Sequence, residues 1–227
     1  CYTEQYFGGD YKFKPIVLDI ENKEYYISGF VDRIDICDNY FRIIDYKTGN
    51  KTNKGGMSDL YIGVEIQLFV YSKAIKDNLN KQLFGAFYLP IKNSFTKNGK
   101  SLYSFSGFFE DNPQMVIMSD KNAFNEGKSE IIGAKFKKPD KNGEISLYSS
   151  KNIFNEENFD AILKYAVEIV RQSIKDINSG FISCSPINGK CSKCEFSKIC
   201  KYSNDETIER EKITQILKEK YLEINYD

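Results

Sequence analysis

Two aspartates and a lysine carry the strongest chemical signal in this 227-residue chain. Asp45-Tyr46-Lys47 closes an apolar run that starts at Tyr40, and Asp32 sits in the run before it, Gly29 to Cys37. Asp38-Asn39 between the runs reads as a two-residue turn, because both residue types tolerate positive φ. A hairpin centred there pairs Cys37 with Tyr40, Ile36 with Phe41, Ile34 with Ile43 and Asp32 with Asp45. Side chains alternate with period two, so Phe30, Asp32, Ile34 and Ile36 share a face with Phe41, Ile43, Asp45 and Lys47. That face is mostly apolar and is expected to be buried. Two carboxylates about 5 Å apart on it repel by roughly 3 kcal/mol at an effective dielectric of about 20. Either one acid holds a proton or a cation lies between them. Lys47 supplies one positive charge, and Mg²⁺ or Mn²⁺ would supply more, since hard divalent ions prefer carboxylate and carbonyl oxygens.

In that arrangement Asp32 and Asp45 hold the ion and the backbone carbonyl of Tyr46 adds a neutral ligand. Lys47 orients or helps deprotonate an attacking water and offsets transition-state charge. This is the chemistry of metal-dependent phosphodiester cleavage. The competing reading is a surface hairpin whose aspartates pair with Arg33 or Arg42, but in this register both arginines fall on the other face. Gln67 and Tyr71 are spaced i, i+4 and share a helix face. A helix crossing the sheet would bring them to the acids, where amide and phenol contact phosphate or a base edge; two polar tips on a half-buried helix are the bland alternative. Glu4 is a further candidate metal ligand, on a helix expected before the hairpin.

A second constellation is Cys191-x2-Cys194-x5-Cys200. Three thiolates so close together point to Zn²⁺ or an iron–sulfur cluster, either of which needs a fourth ligand from Cys184, Cys1 or a residue outside the chain. Histidine is absent, which removes Ser-His-Asp and Cys-His catalysis and every histidine metal site. Formal charge is zero, so no global field favours nucleic acid, although a local basic groove is compatible with that sum. No apolar run approaches the ~18 residues of a membrane span and no leader-like start is seen, so a cytoplasmic setting is expected. The chain begins at Cys1 with no Met, which suggests a piece of a larger protein.

The elements that must position these residues follow from periodicity. Residues 1–9 are expected as the tail of a helix ended by Gly8-Gly9. Strands are expected at 15–20, 24–36 and 40–47, forming a meander. A helix follows from Ser58, its N-cap, to about Lys76, then a buried strand at 82–91. Leu102–Phe109 and Met115–Met118 read as further strands in a peripheral region, 93–150. Residues 156–179 form a helix capped by Asn155, with Phe159, Ile162, Leu163, Ala166, Ile169, Val170, Ile174 and Ile177 as its apolar stripe and Gly180 as its stop. Thr207–Tyr221 forms a charged terminal helix. The domain reading is a nuclease-type unit over 1–205, with the cysteine segment at 184–200, and a C-terminal helix over 206–227. The fold class is α/β, a central mixed sheet flanked by helices.

These stretches resemble the RecB-like branch of the PD-(D/E)XK nuclease superfamily, and within it the C-terminal nuclease domains of AddB-type helicase–nuclease subunits. The matching residues are Glu4-x2-Phe7-Gly8, GFVDRID at 29–35, IIDYKTG at 43–49, Gln67-x3-Tyr71, and Ile182-x3-Pro186 followed by the cysteine trio. The resemblance implies a restriction-endonuclease-like core and Mg²⁺-dependent cleavage of single DNA strands leaving a helicase, in recombinational repair of double-strand breaks. It implies an AddA-like subunit as partner, Asp32, Asp45 and Lys47 as catalytic residues, and Cys191, Cys194 and Cys200 as ligands of a [4Fe–4S] cluster. The fourth ligand is then expected outside this chain, with Cys1 and Cys184 as poorer fits. No G-x4-G-K-[ST] loop, and so no ATPase motor, is present. The same acids and cysteines suit a stand-alone or CRISPR-adaptation exonuclease. A non-catalytic DNA- or partner-binding module with a structural metal site is the reading outside enzymology.

Overall fold

The expected hairpin lies inside a six-stranded mixed sheet. In this computed structural model, residues 1–48, 60, 63, 65–91, 104–150, 152–181, 191 and 194–200 are described. The strands are β1 (Tyr2–Phe7), β2 (Ile16–Ile20), β3 (Lys23–Ile27), β4 (Gly29–Cys37), β5 (Tyr40–Lys47), β6 (Gln82–Pro90), β7 (Ser106–Glu110) and β8 (Ile153–Phe154). The helices are α1 (Gln67–Leu79), α2 (Pro113–Ser119), α3 (Glu156–Asn178) and the short α4 (Ser197–Cys200). The main sheet runs β1-β4-β5-β6-β7-β8, and β2-β3 form a separate pair.

The β4-β5 register is the expected one: Cys37 with Tyr40, Ile36 with Phe41, Ile34 with Ile43. Asp38 takes the turn's positive φ, 51°. β5 and β6 are parallel, so the chain must cross over between them, and α1 makes that crossing. α1 and α3 cover one face of the sheet. Phe41, Ile43, Ala86 and Phe108 meet Leu68, Phe69 and Ile75 of α1 and Phe159, Ile162 and Leu163 of α3 in one core. Asn155 caps α3 by accepting from the Asn158 amide at 2.8 Å, and Gly180 ends it at φ 71°. The last apolar position of the stripe, Ile177, is 76% exposed. On the other face Phe84, Phe87 and Phe109 pack against Met115 and Val116 of α2 and against Ile132, Phe136 and Leu147. Residues 113–147 thus cover the sheet's second face, whereas β7 joins the sheet itself.

Five expectations are corrected. The helix expected from Ser58 to about Lys76 runs instead from Gln67 to Leu79, the described residues Gly63, Glu65 and Ile66 lying outside it. Residues 2–7 are a strand, not a helix tail: β1 pairs antiparallel with β4, Tyr6 opposite Phe30 and Phe7 opposite Gly29. The apolar and aromatic positions Tyr2, Tyr6 and Phe7 gain more from that edge than from an isolated turn of helix. The run 24–36 is two strands in two sheets, parted at Ser28. Met115–Met118 belongs to helix α2, because Pro113 suits a first helical position and Asn112 Oδ1 accepts from the Met115 amide at 3.2 Å. Phe30 is 63% exposed, whereas Val31 and Ile34 are both fully buried, so alternation breaks around Asp32. Opposite Asp32 the β1 chain is irregular at Glu4, whose φ is 50°. Such a break re-aims side chains at a site. The Ser58 cap, Cys184 and the 207–221 helix lie outside the described residues.

Candidate active site

The sheet end that carries β5's last residues assembles the site. The β4-β5 ladder closes at Arg33 and Ile44, one step short of the two aspartates. Beyond that step the Asp32 side chain replaces the lost strand partner: its Oδ2 accepts from the Tyr46 amide at 2.8 Å. On the other edge of β5 the Ile91 amide donates to the Lys47 carbonyl, 2.9 Å. Backbone groups alternate sides along a strand, so Tyr46 turns both its amide and its carbonyl toward Asp32. Asp32, the Tyr46 carbonyl and Asp45 thereby come to one corner.

Asp45 is 5% exposed. Lys47 Nζ pairs with the buried Asp45 Oδ2 at 2.6 Å, well inside hydrogen-bond distance. Burial pushes the Asp45 carboxyl above its ordinary pKa, Lys47 pulls it back, and the charge of Asp32 adds to the rise. Arg33 and Arg42 are taken up elsewhere. Both reach Asp35, Arg33 through Nε at 2.8 Å and Arg42 through Nε at 3.0 Å. Burial opposes the charge of Asp35, but the two guanidinium groups outweigh it and hold the carboxyl below its ordinary pKa. The arginine-paired surface hairpin is thereby excluded for Asp32 and Asp45.

α1 delivers the two polar positions read from its spacing. Lys47 Nζ donates to Gln67 Oε1 at 3.3 Å, and Gln67 Nε2 donates to the Tyr71 hydroxyl at 3.2 Å. Tyr71 rests edge-on against Phe7, centroids 5.4 Å apart, and passes over Gly29. A Cβ on Gly29 would stand 2.9 Å from the Tyr71 ring and 3.0 Å from Phe7. Gly29→Ala is therefore expected to push Tyr71 off Gln67 and to cost about 1–3 kcal/mol, read from denaturant unfolding.

Two neighbours were not singled out from sequence. Tyr88 of β6 stands beside Asp45 in the parallel ladder, and Lys47 Nζ lies 4.8 Å from its ring centroid. Its hydroxyl donates to Glu65 Oε2 at 3.4 Å. Burial, with Glu65 and Asp45 adding, pushes the phenol well above its ordinary pKa and keeps it neutral. The available signal was a tyrosine inside a buried strand, whose hydroxyl needs a polar neighbour. Glu4 is exposed on β1. Among the described residues no three His, Cys, Asp or Glu side chains gather as a ligand set, so Glu4 does not complete a trio with Asp32 and Asp45.

The donors that do converge are hard oxygens: two carboxylates, one of them buried, and a backbone carbonyl. That set suits Mg²⁺ or Mn²⁺. Far from it in the chain, Cys191 and Cys194 share a turn, the Cys194 amide donating to the Cys191 carbonyl at 3.2 Å, and Cys200 ends α4.

A model of the PD-(D/E)XK nuclease superfamily matches residues 3–201. The chain is 29% identical over 226 residues to a subunit of the ATP-dependent helicase/deoxyribonuclease of Clostridium novyi, covering 88% of this chain and 19% of that protein. It is 32% identical over 223 residues to the protein of the same name in Clostridium acetobutylicum, covering 86% and 18%. The chain thus spans about a fifth of the length of these curated relatives.

Proposed function

The chain belongs to the PD-(D/E)XK nuclease superfamily, and from that premise we propose that it is the Mg²⁺- or Mn²⁺-dependent deoxyribonuclease unit of an AddB-type helicase–nuclease. The observation that carries this is the corner itself: Asp32, Asp45, Lys47, Gln67 and Tyr71 converge from two strands and a helix, with Asp45 buried and paired to Lys47. Asp32, Asp45 and the Tyr46 carbonyl would hold the cation. The chemistry such an ion supplies is Lewis-acid polarisation of the scissile phosphoryl group and acidification of water. Lys47 presents its ammonium toward the incoming phosphate, where it offsets developing negative charge. Gln67 limits the swing of Lys47, and the Tyr71 hydroxyl is placed to contact the DNA backbone.

The wider reading is cleavage of single strands emerging from unwound duplex, in the cytoplasm, in partnership with an AddA-like subunit, during recombinational repair of double-strand breaks. The names of the relatives support it. No helix among the described residues is long and apolar enough to cross a membrane. We further propose that Cys191, Cys194 and Cys200 contribute thiolates to a [4Fe–4S] cluster, which iron and acid-labile sulfide analysis of protein made without oxygen will test. Their support is the spacing and soft donor chemistry of three cysteines within ten residues, 191–200.

The nuclease assignment is tested with end-labelled single-stranded DNA. Cleavage is expected with Mg²⁺ or Mn²⁺, absent with a chelator, and reduced about a hundredfold or more by Lys47→Ala. Cleavage of equal rate with Lys47→Ala, or with the chelator present, overturns it.

A further inference from the structure

Lys47 is tied at its ammonium but free along its stem. Its side chain is 28% exposed and carries a flexible four-carbon chain. Nζ pairs with Asp45 Oδ2 at 2.6 Å, and its bond to Gln67 is long at 3.3 Å. Under the ammonium lies the face of Tyr88. That ring is 2% exposed, and its centroid lies 4.8 Å from Nζ, inside the ~6 Å range in which a ring quadrupole attracts a cation. The ring cannot move away. β6 pairs with β5 along its whole length, Tyr88 beside Asp45, and the ring packs in the main core.

We propose that Tyr88 is a positioning residue for Lys47, its ring being the floor that keeps the ammonium between Asp45 and Gln67. Its significance for catalysis rests on the nuclease reading above; the contact itself does not. The hydroxyl, turned toward Glu65, is not the working part. A phenyl ring therefore does the same work, and an aliphatic side chain of similar bulk does not. Without the floor, Lys47 keeps its charge near Asp45 but its ammonium is no longer fixed over one spot and swings between Asp45 and solvent. DNA binding is then untouched while turnover falls.

The test compares the chain with Tyr88→Phe and Tyr88→Leu by two readouts. In protein carrying ¹³Cε-labelled lysine, with the signal assigned by its disappearance in Lys47→Arg, the Lys47 ε-protons are expected upfield in the parent and in Tyr88→Phe, from the ring current. In Tyr88→Leu they are expected to return to the position of a free lysine. In cleavage of single-stranded DNA with Mn²⁺, Tyr88→Phe is expected within about threefold of the parent. Tyr88→Leu is expected to lose about 10–100-fold in kcat with KM within about threefold. A free-lysine signal in the parent overturns the proposal even if Tyr88→Leu fails to fold, and so does a Tyr88→Phe that behaves like a folded Tyr88→Leu. An intact ring shift in a protein that cuts no DNA overturns the nuclease reading and leaves the Tyr88–Lys47 contact standing.

Discussion

Asp45→Asn is expected to lower single-strand cleavage about a thousandfold or more, at least roughly 4 kcal/mol of transition-state stabilisation, without lowering the melting temperature. The two outcomes separate because the site asks opposite things of one side chain. On the proposed reading catalysis needs the charge: an amide in place of the carboxylate removes the buried anionic donor paired with Lys47. Stability does not need it. Burial raises the folded-state pKa of Asp45, and the nearby Asp32 adds to the rise. A carboxyl whose folded pKa lies above its unfolded value binds its proton more tightly when folded. Stability is therefore lost as pH climbs from the unfolded value, about 3.9, through the folded one. Asn does not titrate. In chelator, the melting-temperature difference between Asp45→Asn and the parent should thus grow in favour of the variant as pH rises through that window. A variant that melts lower at every pH would show that the charge of Asp45 holds the fold together.

Phe108→Ala is expected to cost about 3–5 kcal/mol in denaturant unfolding. Phe108 is 1% exposed and is the rivet between the sheet and both helices. Phe69 of α1 stacks on it face to face at 4.1 Å, and Phe159 of α3 meets it edge-on at 5.5 Å. Removing the ring leaves a cavity under the helix that carries Gln67, two residues before Phe69, and Tyr71, two after. Cleavage is expected to fall even at temperatures where the variant remains folded. Phe109→Ala supplies the comparison. Phe109 is 3% exposed but lies on the opposite face with Phe84 and Phe87, away from α1. It should lose stability comparably and retain activity per folded molecule. If the two variants lose activity alike, α1 does not depend on Phe108 for its placement.

Much of this site was legible before any coordinates, and the reason is local. A two-residue turn and a period of two are enough to set the pairing of Ile34 with Ile43 and of Ile36 with Phe41, because a one-residue slip would turn every apolar side chain outward. Spacing of four put Gln67 and Tyr71 on one helical face, and the structure joins them by a hydrogen bond. α3 was readable from its cap, its stripe and its glycine for the same reason. Each of these signals is contained within a few consecutive residues.

Contacts between distant parts of the chain were not legible. Residues 2–7 become a strand only because β4 offers an edge, and no local property of the segment announces that partner. The interruption of alternation at Asp32 depends on the irregularity at Glu4 across the β1-β4 ladder, and it exposes Phe30 where a regular strand would have buried it. Arg33 and Arg42 could each have neutralised one of the two candidate acids. Tertiary placement sends both to Asp35, while Lys47 pairs with Asp45 and the Tyr46 amide donates to Asp32. By itself the sequence determined which residues are candidates for the chemistry and that Asp32, Asp45 and Lys47 ride on strands and Gln67 and Tyr71 on a helix. Only the tertiary structure decided what surrounds them: the burial of Asp45 against Lys47, and the ring of Tyr88 under Lys47. Those depend on parallel pairing across a helical crossover, a long-range arrangement set by burial of the whole core and not by any short run of residues.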